Sequence, residues 1–391
     1  MAKHSLSTLG VRAGTARSQF NEHSEALFLT SSFVFENAAQ AAERFTGGGG
    51  GFVYSRFTNP TVSMFQNRLA ALEGAQACVA TATGMAAVTT MALGLLKSGD
   101  HLVTHRGVFG TVVPLFDQIL AKLGIQTTWV DLPDLDAWRG AMRPSTKLLF
   151  AESPTNPACE VADIAALADI AHKAGAVLAI DNCMASPALQ RPIEHGADLV
   201  VHSATKYLDG QGRVLAGAIA GHEDLVSGPL YSFVRTAGPA ISPFNAWICL
   251  KGMETLGVRM RAQSATALAI ARWLETHPAV ERVLYPGLES HRQHAVAVRQ
   301  QSAFGPVMSF VVKGGREAAW RVIDAVRLVS ITANFGDVKS TVCHPVTTTH
   351  NRVPPAEREA AGIVEGLIRL AIGLEDEADI REDLERGLGS K

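Results

Sequence analysis

The chain has 391 residues, of which 47% are hydrophobic and 18% are charged, with a formal net charge of -2 and a pI near 6.7. This length exceeds the range in which one hydrophobic core keeps growing, so we expect two domains. The near-neutral balance gives no electrostatic reason to expect a nucleic acid or an anionic membrane as partner. Any binding of small anions must therefore depend on local groups.

The five cysteines are far apart in the sequence and include no C-x-x-C pair. Their number and spacing indicate neither a zinc site nor a disulfide framework, and they fit a reducing cytoplasm. The first residues lack the apolar core of a signal peptide, and no apolar run reaches the length of about 18 residues that a membrane span requires. We therefore expect a soluble, cytoplasmic protein without a metal site.

Residues 1–50 have mixed composition and end in five successive glycines, Gly47 to Gly51. Ordering such a run costs much backbone entropy, which predicts a mobile loop or hinge at the end of an N-terminal arm. After it, Asn59 and Pro60 are typical of the cap and the first position of a helix, and Gly74 of its end.

Short β-rich runs alternate with helical stretches from about residue 75 to residue 220. This alternation predicts an α/β fold with a mostly parallel, doubly wound sheet, in a large domain that we assign to residues 51–244. The predicted strands are Cys78–Ala80, His101–Val103, Ile125–Val130, Lys147–Ala151, Val177–Ile180, Leu199–His202 and Ala216–Ala220. The predicted helices include Met85–Leu96, Pro114–Leu123 and Ile164–Ala174.

The pattern changes beyond about Phe244. We interpret residues 245–391 as a smaller C-terminal α+β domain, joined to the large domain through a long helical segment. Its predicted elements are a helical segment over Asn245–His277, strands at Val307–Val312 and Leu328–Thr332, and a helix over Glu357–Leu370.

Lys206 follows the predicted strand that ends at His202. In open α/β folds, ligands bind at the carboxyl edge of the sheet, and a lysine there can act as a Schiff-base nucleophile. Ser203 and Thr205 beside it could donate hydrogen bonds to a phosphate. Read alone, these residues fit an ordinary surface lysine after a strand equally well.

A second strand end, Thr83-Gly84-Met85, opens a predicted helix. Free N–H groups and the helix dipole make such a turn a site for an anion, for example a phosphate. A plain helix cap explains the same residues when they are taken alone.

Two further strand ends carry a carboxylate and an amide. Asp181 ends an apolar strand and is expensive to bury unless it meets a cation, although a turn aspartate fits too. Two prolines fix the loop that holds Asn156, which could also be a stiff turn without further function. Together with Lys206 and the turn at Gly84, these groups describe a pocket for pyridoxal 5'-phosphate (PLP).

Three motifs carry a resemblance that covers nearly the whole chain, from about Leu9 to Gly387. With them, the sequence resembles the Cys/Met-metabolism, or trans-sulfuration, family of PLP-dependent enzymes. The resemblance implies the aspartate-aminotransferase-like fold, the PLP-dependent transferase fold type I. The motifs are Tyr54-Ser55-Arg56, Glu152-Ser153-Pro154-Thr155-Asn156-Pro157 and Ser203-Ala204-Thr205-Lys206.

The resemblance also implies a role for each residue of the pocket. Lys206 would bind the cofactor covalently, Asp181 would pair with its pyridine nitrogen, and Asn156 would be a further contact. A homotetramer is implied, built as a dimer of dimers whose active sites are shared between subunits. The phosphate would be held by Gly84, Met85, Ser203 and Thr205 of one subunit and by Tyr54 and Arg56 of its neighbour.

The segment around Arg369 is similar to the part of the family that binds the α-carboxylate of the substrate. A planar guanidinium suits this planar anion, and the alternative is a structural arginine covered by a carboxylate of the protein itself. By the same resemblance, Ser340 would make a second contact to the carboxylate.

Phe109 stands where most members of the family place a tyrosine over the cofactor ring. Its side chain can stack on a ring but has no hydroxyl for proton transfer. The catalytic residues implied are therefore Lys206, Asp181 and Phe109, with proton transfer depending mainly on Lys206.

Within the family, Phe109 and the segments Asp209–Arg213 and Asn334–Ser340 resemble O-succinylhomoserine sulfhydrylases. Methionine γ-lyases carry a cysteine where Thr111 stands, which disfavours that subgroup. The implied reaction is γ-replacement on an O-acylated homoserine with sulfide, in methionine biosynthesis. Three alternatives stay open: cystathionine γ-synthase with cysteine as acceptor, O-acetylhomoserine sulfhydrylase, and a PLP-binding regulator without turnover. Arg106 and Arg352 are candidates for binding the second carboxylate of a succinyl group.

Overall fold

The structure, a computed structural model, describes residues 4–47 and 50–389. It contains two β-sheets that use different parts of the sequence. The strands of the larger sheet are β1 (Ala77–Thr81), β2 (His101–His105), β3 (Gln126–Val130), β4 (Thr146–Glu152), β5 (Val177–Asp181), β6 (Leu199–His202) and β7 (Gly217–Gly221). Those of the smaller sheet are β8 (Val280–Leu284), β9 (Val307–Val312), β10 (Ser330–Ile331), β11 (Thr341–Cys343) and β12 (Leu367–Ala371).

Most of the helices precede β8. They are α1 (Leu6–Arg12), α2 (Ala38–Phe45), α3 (Pro60–Glu73), α4 (Gly84–Leu95), α5 (Val112–Pro114), α6 (Leu135–Gly140), α7 (Ile164–Lys173), α8 (Ser186–Leu189), α9 (Glu223–Leu225), α10 (Tyr231–Ala237), α11 (Pro243–Glu254) and α12 (Leu256–Thr276). After β8 follow α13 (His294–Gln300), α14 (Gly315–Ala325), α15 (Pro355–Ala360) and α16 (Glu377–Leu388). Helix α5 continues as a π-helix over Leu115–Leu120 and a 3₁₀ turn over Ala121–Leu123, α9 continues as a π-helix over Val226–Leu230, and short 3₁₀ turns lie at Pro192–His195 and Pro345–Thr347.

The larger sheet has the strand order β1-β7-β6-β5-β4-β2-β3. Strands β6, β5, β4, β2 and β3 are parallel, and β7 is antiparallel to both of its neighbours. The predicted mostly parallel sheet is therefore confirmed. Because β1 and β6 are both antiparallel to β7, β1 points the same way as the parallel strands. The carboxyl ends of β1, β2, β4, β5 and β6 thus meet at one edge.

Apolar side chains cover both faces of this sheet. Along β4, Leu149 packs into one hydrophobic cluster while Leu148 and Phe150 pack into another. Along β5, Ala179 and Ile180 divide between the same two clusters. A parallel sheet that is buried on both faces holds its strand ends rigidly, which makes its edge a stable platform.

Helix α3 shows how local signals set an element. The side chain of Asn59 accepts a hydrogen bond from the N–H of Thr61 at 2.9 Å, Pro60 is the first helical residue, and Gly74 ends the helix at φ 73°. The predicted cap, start and end are confirmed. The predicted loop at the glycine run is only partly described, because Gly48 and Gly49 lie outside the described residues.

The smaller sheet has the order β10-β11-β12-β9-β8, with β12 antiparallel to both of its neighbours. The predicted helix over Glu357–Leu370 is wrong: α15 ends at Ala360 and Leu367–Ala371 is a strand. All five residues of β12 are buried, so the sequence shows no alternation of apolar and polar residues. A short apolar run of this kind cannot be assigned to helix or strand by periodicity alone.

Two other predictions for this half need correction. The long segment Asn245–His277 is two helices, α11 and α12, which separate at Thr255. Strands β8 and β11 were not predicted, because each is short and lies outside any clear β-rich run.

The N-terminal arm is joined to α3 and α11 by buried ionic groups. The guanidinium of Arg68 on α3 is fully buried and pairs with Glu25 of the arm and with Glu254 at 3.6 Å. Lys251 on α11 contacts the other oxygen of Glu25 at 3.1 Å. The arm is therefore fixed to the body of the protein through charges that satisfy one another.

Candidate active site

The strand ends at one edge of the larger sheet bring together most of the residues that the sequence singled out. Phe109 lies in the loop after β2, Asn156 in the loop after β4, and Asp181 at the end of β5. Lys206 follows β6, and Gly84 follows β1. Parallel strands place such residues side by side, which is where open α/β folds bind their ligands.

Lys206 is half-buried beside a loop from the other half of the chain. Its Nζ donates to Oδ1 of Asn334 and lies 4.6 Å from the ring centre of Phe335. Burial lowers the pKa of the Lys206 amine to about 8, and the nearby Arg369 charge acts in the same direction. The neutral form of the amine, which a nucleophile or a base requires, is therefore more accessible than in an ordinary lysine.

The loop that contacts Lys206 also approaches its main chain. A Cβ atom on Gly336 would lie 2.6 Å from the Cα of Lys206, and the φ of Gly336 is 95°. Only glycine fits both this conformation and this contact. The lysine is thus held from two sides, by the larger sheet and by the segment between β10 and β11.

Asp181 is buried at the carboxyl end of β5. Its Oδ1 accepts a hydrogen bond from the N–H of Cys183 at 2.9 Å, and it pairs with no cationic side chain in the described ranges. Burial raises the pKa of this carboxyl above its usual value. An external cation at this position would restore the ionised form, which a protonated pyridine nitrogen can do.

The N-terminus of α4 offers hydrogen-bond donors to an anion. The hydroxyl of Thr83 caps the helix by accepting from the N–H of Ala86 at 3.0 Å. The N–H groups of Gly84 and Met85 bind no other described residue, as expected for the first turn of a helix. A Cβ on Gly84 would lie 2.6 Å from that of Ser203, so glycine allows the helix end to touch the lysine loop.

Ser203 and Thr205 border the same anion site. The N–H of Ser203 donates to Sγ of Cys183 at 2.7 Å, which leaves its hydroxyl beside the start of α4. The Thr205 hydroxyl accepts from the N–H of Ala216 at 3.0 Å and also contacts its carbonyl oxygen at 3.3 Å. Ser203 therefore has the freer hydroxyl of the two.

Arg369 lies on the central strand β12 of the smaller sheet and is 1% exposed. Its Nη1 donates to Oδ1 of Asn156 at 3.1 Å, and its Nη2 donates to the carbonyl oxygens of Ala333 at 2.7 Å and Asn334 at 3.1 Å. Its Nε has no partner, and no described carboxylate pairs with it. The alternative of a structural arginine covered by a carboxylate of the protein does not hold for the described chain.

The hydroxyl and the N–H of Ser340 have partners within the protein, and its contact to the substrate carboxylate stays a prediction. Its hydroxyl donates to Glu375 at 2.8 Å and accepts from the N–H of Gly373 at 2.8 Å, and its own N–H donates to Glu375 at 2.7 Å. Asn334, six residues earlier, contacts both Lys206 and Arg369 instead. The sequence did not single out Asn334 as a residue of the site.

Glu152 is a buried residue of the site that the sequence did not single out. Its two oxygens accept hydrogen bonds from the N–H groups of Phe109 at 2.6 Å and Asn156 at 3.0 Å. Phe109 itself is 36% exposed, so its ring borders open space at the sheet edge. The position of Glu152 at the end of β4 was the available signal, because Asp181 ends β5 in the same way.

The sequence model of the Cys/Met metabolism PLP-dependent enzyme family matches residues 7–389. The chain belongs to this family. An O-succinylhomoserine sulfhydrylase of Pseudomonas aeruginosa is 57% identical over 383 residues, which cover 98% of this chain and 95% of that protein. An O-succinylhomoserine sulfhydrylase of Mycobacterium tuberculosis (strain ATCC 25618 / H37Rv) is 46% identical over 388 residues, which cover 98% and 96%.

Among solved structures, a crystal structure from Campylobacter jejuni subsp. jejuni resembles the chain with a TM-score of 0.95 and 33% identity. The match covers 99% of this chain and 100% of that one, which is described as an O-acetylhomoserine (thiol)-lyase with N'-pyridoxyl-lysine-5'-monophosphate at its position 205. The predicted PLP-dependent transferase fold is thereby confirmed, and the protein is a PLP-dependent enzyme.

The geometry fits the cofactor of the family. A phosphate fits the free N–H groups at the start of α4, a pyridine nitrogen fits the unpaired carboxyl of Asp181, and an aldehyde fits the amine of Lys206. Three separate groups thus match three separate parts of PLP.

Tyr54 and Arg56, the motif residues expected to reach a second subunit, lie apart from this set. Tyr54 is 41% exposed, and Arg56 donates to the carbonyl oxygen of Arg235 and packs on the ring of Phe57 at 4.9 Å. None of the contacts in the described ranges joins either residue to Lys206 or Gly84 of the same chain.

Within residues 4–47 and 50–389, no helix has the length and hydropathy to cross a membrane.

Proposed function

We propose that the protein is an O-succinylhomoserine sulfhydrylase, which converts O-succinyl-L-homoserine and sulfide to L-homocysteine and succinate in methionine biosynthesis. The observation that carries the amino-acid part of this proposal is the buried, unpaired guanidinium of Arg369 beside Lys206. The acyl group and the sulfide are supported by the two relatives at 57% and 46% identity.

In this proposal, the residues of the sheet edge hold PLP. Asp181 keeps the pyridine nitrogen protonated, and Lys206 binds the cofactor covalently. When bound, PLP supplies an electron sink that stabilises negative charge on the carbon atoms next to the substrate nitrogen. The phosphate ligands from this chain are Gly84, Met85, Ser203 and Thr205.

Arg369 binds the α-carboxylate of the substrate and so places Cα near Lys206. The carboxylate supplies the hydrogen-bond acceptor that Nε lacks. It also supplies the negative charge that no described anion provides. Asn156 holds the guanidinium from one side, and the carbonyl oxygens of Ala333 and Asn334 hold it from the other. Because the guanidinium is fixed, the bound substrate holds its Cα close to the base, and the proton has only a short distance to travel.

Lys206 moves the protons. Its neutral Nζ would take the proton from Cα and pass it to the cofactor carbon that bears the substrate nitrogen, so that Nζ is neutral again when it takes the second proton, from Cβ. The Cγ–O bond then breaks, and its electron pair leaves with succinate. Hydrosulfide donates an electron pair to Cγ, after which Lys206 returns its proton to Cβ and moves the first proton back to Cα. Phe109, which covers the cofactor ring, has no hydroxyl that could share these transfers.

The assembly and the location belong to the same proposal. We infer a homotetramer, a dimer of dimers, in which Tyr54 and Arg56 complete the phosphate site of the partner subunit; their position apart from their own Lys206 supports this. We infer a cytoplasmic enzyme, and a division into an arm at residues 1–50, a PLP-binding domain at 51–244 and a C-terminal domain at 245–391.

A steady-state assay tests the proposal. Wild-type protein with PLP is supplied with O-succinyl- or O-acetyl-homoserine, each with sulfide or with cysteine, and the thiol products are identified. We expect homocysteine to form fastest from the succinyl ester and sulfide. Faster turnover with cysteine would instead assign a cystathionine γ-synthase, and the absence of turnover with bound cofactor would assign a regulator.

Lys206→Ala tests the central residue of the mechanism. Without the amine, we expect loss of both the covalent cofactor absorbance and turnover, while the protein stays folded by circular dichroism. Retained turnover in this variant would contradict the assignment of Lys206 as the base.

A further inference from the structure

Glu152 is a buried carboxylate for which the mechanism above has no use. It is 5% exposed, ends β4 next to Asp181 on β5, and forms no ion pair within the described chain. Burial, together with the neighbouring Asp181 charge, raises the pKa of this carboxyl well above its usual value. Burying two acidic groups side by side costs free energy, so specific interactions of Glu152 must compensate for that cost.

The compensating interactions are two hydrogen bonds that Glu152 accepts from main-chain N–H groups of two different loops. Oε2 accepts from the N–H of Phe109 at 2.6 Å, in the loop after β2, and Oε1 accepts from the N–H of Asn156 at 3.0 Å, in the loop after β4. Asn156 then accepts from Nη1 of Arg369 at 3.1 Å. One carboxylate therefore connects the aromatic residue at the cofactor site to the arginine of the substrate site.

The surroundings of Glu152 leave these two bonds as its main interactions. The nearby titratable groups are Asp181 on β5, Cys183 just after it, and His105 on β2, whose Nε2 accepts from the N–H of Glu152 at 3.1 Å. Burial lowers the pKa of His105 to about 3, so its ring is neutral and supplies no positive charge. A carboxylate with two acceptor oxygens can satisfy both N–H groups, which a neutral amide of the same size cannot.

We propose that Glu152 is a positioning residue, which holds Phe109 over the cofactor and Asn156 against Arg369 through one buried carboxylate. The inference rests on the proposed function, because it takes the roles of Phe109 and Arg369 from there. It adds that Glu152 fixes two positions together: that of Phe109 over the cofactor ring, and that of Asn156 beside the arginine that binds the substrate carboxylate.

Two variants of Glu152 separate positioning from charge. Glu152→Gln keeps the length but turns an NH₂ group toward one of the two N–H donors. Glu152→Asp keeps the charge but is too short to reach both donors. We expect both to lower kcat/KM by about ten- to a hundredfold, the cost of losing a hydrogen bond to a buried charged group. If Glu152→Asp retains wild-type kcat/KM while Glu152→Gln loses it, charge is the cause and the proposal is wrong.

The matched control is Glu160→Gln. Glu160 lies in the same loop, and burial raises the pKa of its carboxyl too, but the loop is held there by its main-chain N–H and carbonyl groups. We expect this control to keep wild-type kcat/KM. A loss equal to that of Glu152→Gln would mean that any buried glutamate of the loop acts alike, which overturns the specific role.

A readout other than turnover is the visible circular dichroism of bound PLP, which reports how the ring is packed. We expect Glu152→Gln to change this signal in the wild-type background and to leave it unchanged in a Phe109→Ala background, where no ring is left to be positioned. The same change in both backgrounds overturns the proposal. The comparison holds even if Glu152→Gln is less stable, provided that the folded fraction is matched by far-ultraviolet circular dichroism.

These outcomes are distinct from failure of the proposed function. If wild-type protein forms no homocysteine from O-succinyl-L-homoserine and sulfide, the function fails, yet the dichroism of PLP and the affinity for L-homoserine still test Glu152. If wild-type turnover is normal and the signal of PLP is the same in wild type and Glu152→Gln, the inference alone fails.

Discussion

Two arginines in this protein are buried to the same degree and have opposite surroundings. Arg68 on α3 is 0% exposed and pairs with Glu25 and Glu254, while main-chain and hydroxyl oxygens accept its other protons. Arg369 on β12 is 1% exposed, binds only neutral oxygens, and keeps one N–H without a partner.

We interpret Arg68 as a structural charge, which stabilises the fold, and Arg369 as a recognition charge, which binds a ligand. A buried cation is costly unless an anion accompanies it, so a protein that is complete in itself supplies the anion, as Glu25 does for Arg68. At Arg369, the described chain supplies orientation but no negative charge. In the proposed function the substrate supplies the missing charge, and the planar fork of the guanidinium favours a carboxylate.

The largest expected effect follows from removing the recognition charge. In Arg369→Ala, the substrate loses its ion pair, and we expect kcat/KM for O-succinyl-L-homoserine to fall by roughly a thousandfold, or about 4 kcal/mol. The free energy of unfolding should decrease less than in Arg68→Ala, since only neutral acceptors lose a donor and no described carboxylate loses its ion pair. Steady-state kinetics and urea unfolding measure the two quantities, and a large loss of stability with unchanged kinetics would place Arg369 with Arg68.

The structural charge should give the reverse result. Arg68→Ala leaves Glu25 buried with Lys251 as its only cationic partner in the described chain, and we expect the free energy of unfolding to fall by about 3 kcal/mol. The kinetic constants of the folded fraction should stay close to wild type, because Arg68 lies in the N-terminal region and contacts none of the residues at the sheet edge. Urea unfolding followed by kinetics below the transition checks both statements.

Acid should lower the free energy of unfolding by protonating Glu25, the partner of Arg68. Burial opposes ionisation, but the hydrogen bonds from Arg68 and Lys251 dominate and lower the pKa of Glu25 from 4.5 to about 2. A lowered pKa in the folded state means that the stabilisation is complete above pH 4.5 and is lost as the pH falls from there toward about 2. Unfolding curves over this range should show a shallower pH dependence in Glu25→Gln than in wild type.

The smallest expected effect concerns Ser340. Because its hydroxyl bonds Glu375 and Gly373, it resembles Arg68 in having its partners inside the protein. Ser340→Ala should therefore lower the free energy of unfolding by about 1–2 kcal/mol and leave KM for the amino acid unchanged. The matched variant is Asn334→Ala, for which we expect altered kinetics, since Asn334 contacts both Lys206 and Arg369. A raised KM in Ser340→Ala alone would support the original prediction.

The sequence predicted those parts of the site that a strand end reveals locally. Asp181 stands out because it directly follows an apolar run, Lys206 because it comes shortly after a strand end, and Gly84 because a helix begins there. The chain brings these residues together through parallel strands, which requires only the order of the elements. This part of the fold needs no knowledge of individual side-chain contacts.

Other parts depend on contacts that sequence spacing does not encode. Arg369 was identified by resemblance, yet its strand was assigned to a helix, because β12 is buried on both sides and shows no alternation. Asn334 was missed because it reaches Lys206 across 128 positions of the chain. The position of Glu152 at a strand end was a usable signal, but its partners are main-chain N–H groups, which the sequence does not reveal.

The contact of Phe335 with two cations has a consequence for how substrate binding affects the base. The ring lies 4.6 Å from the Lys206 amine and 5.3 Å from the Arg369 guanidinium, and the positive charge of Arg369 helps to hold the pKa of Lys206 down. In the proposed function, a substrate carboxylate bound to Arg369 would neutralise that charge, and we expect the proton affinity of Lys206 to rise. An amino-acid substrate would then strengthen the base that takes its Cα proton, whereas a simple amine of the same shape would not.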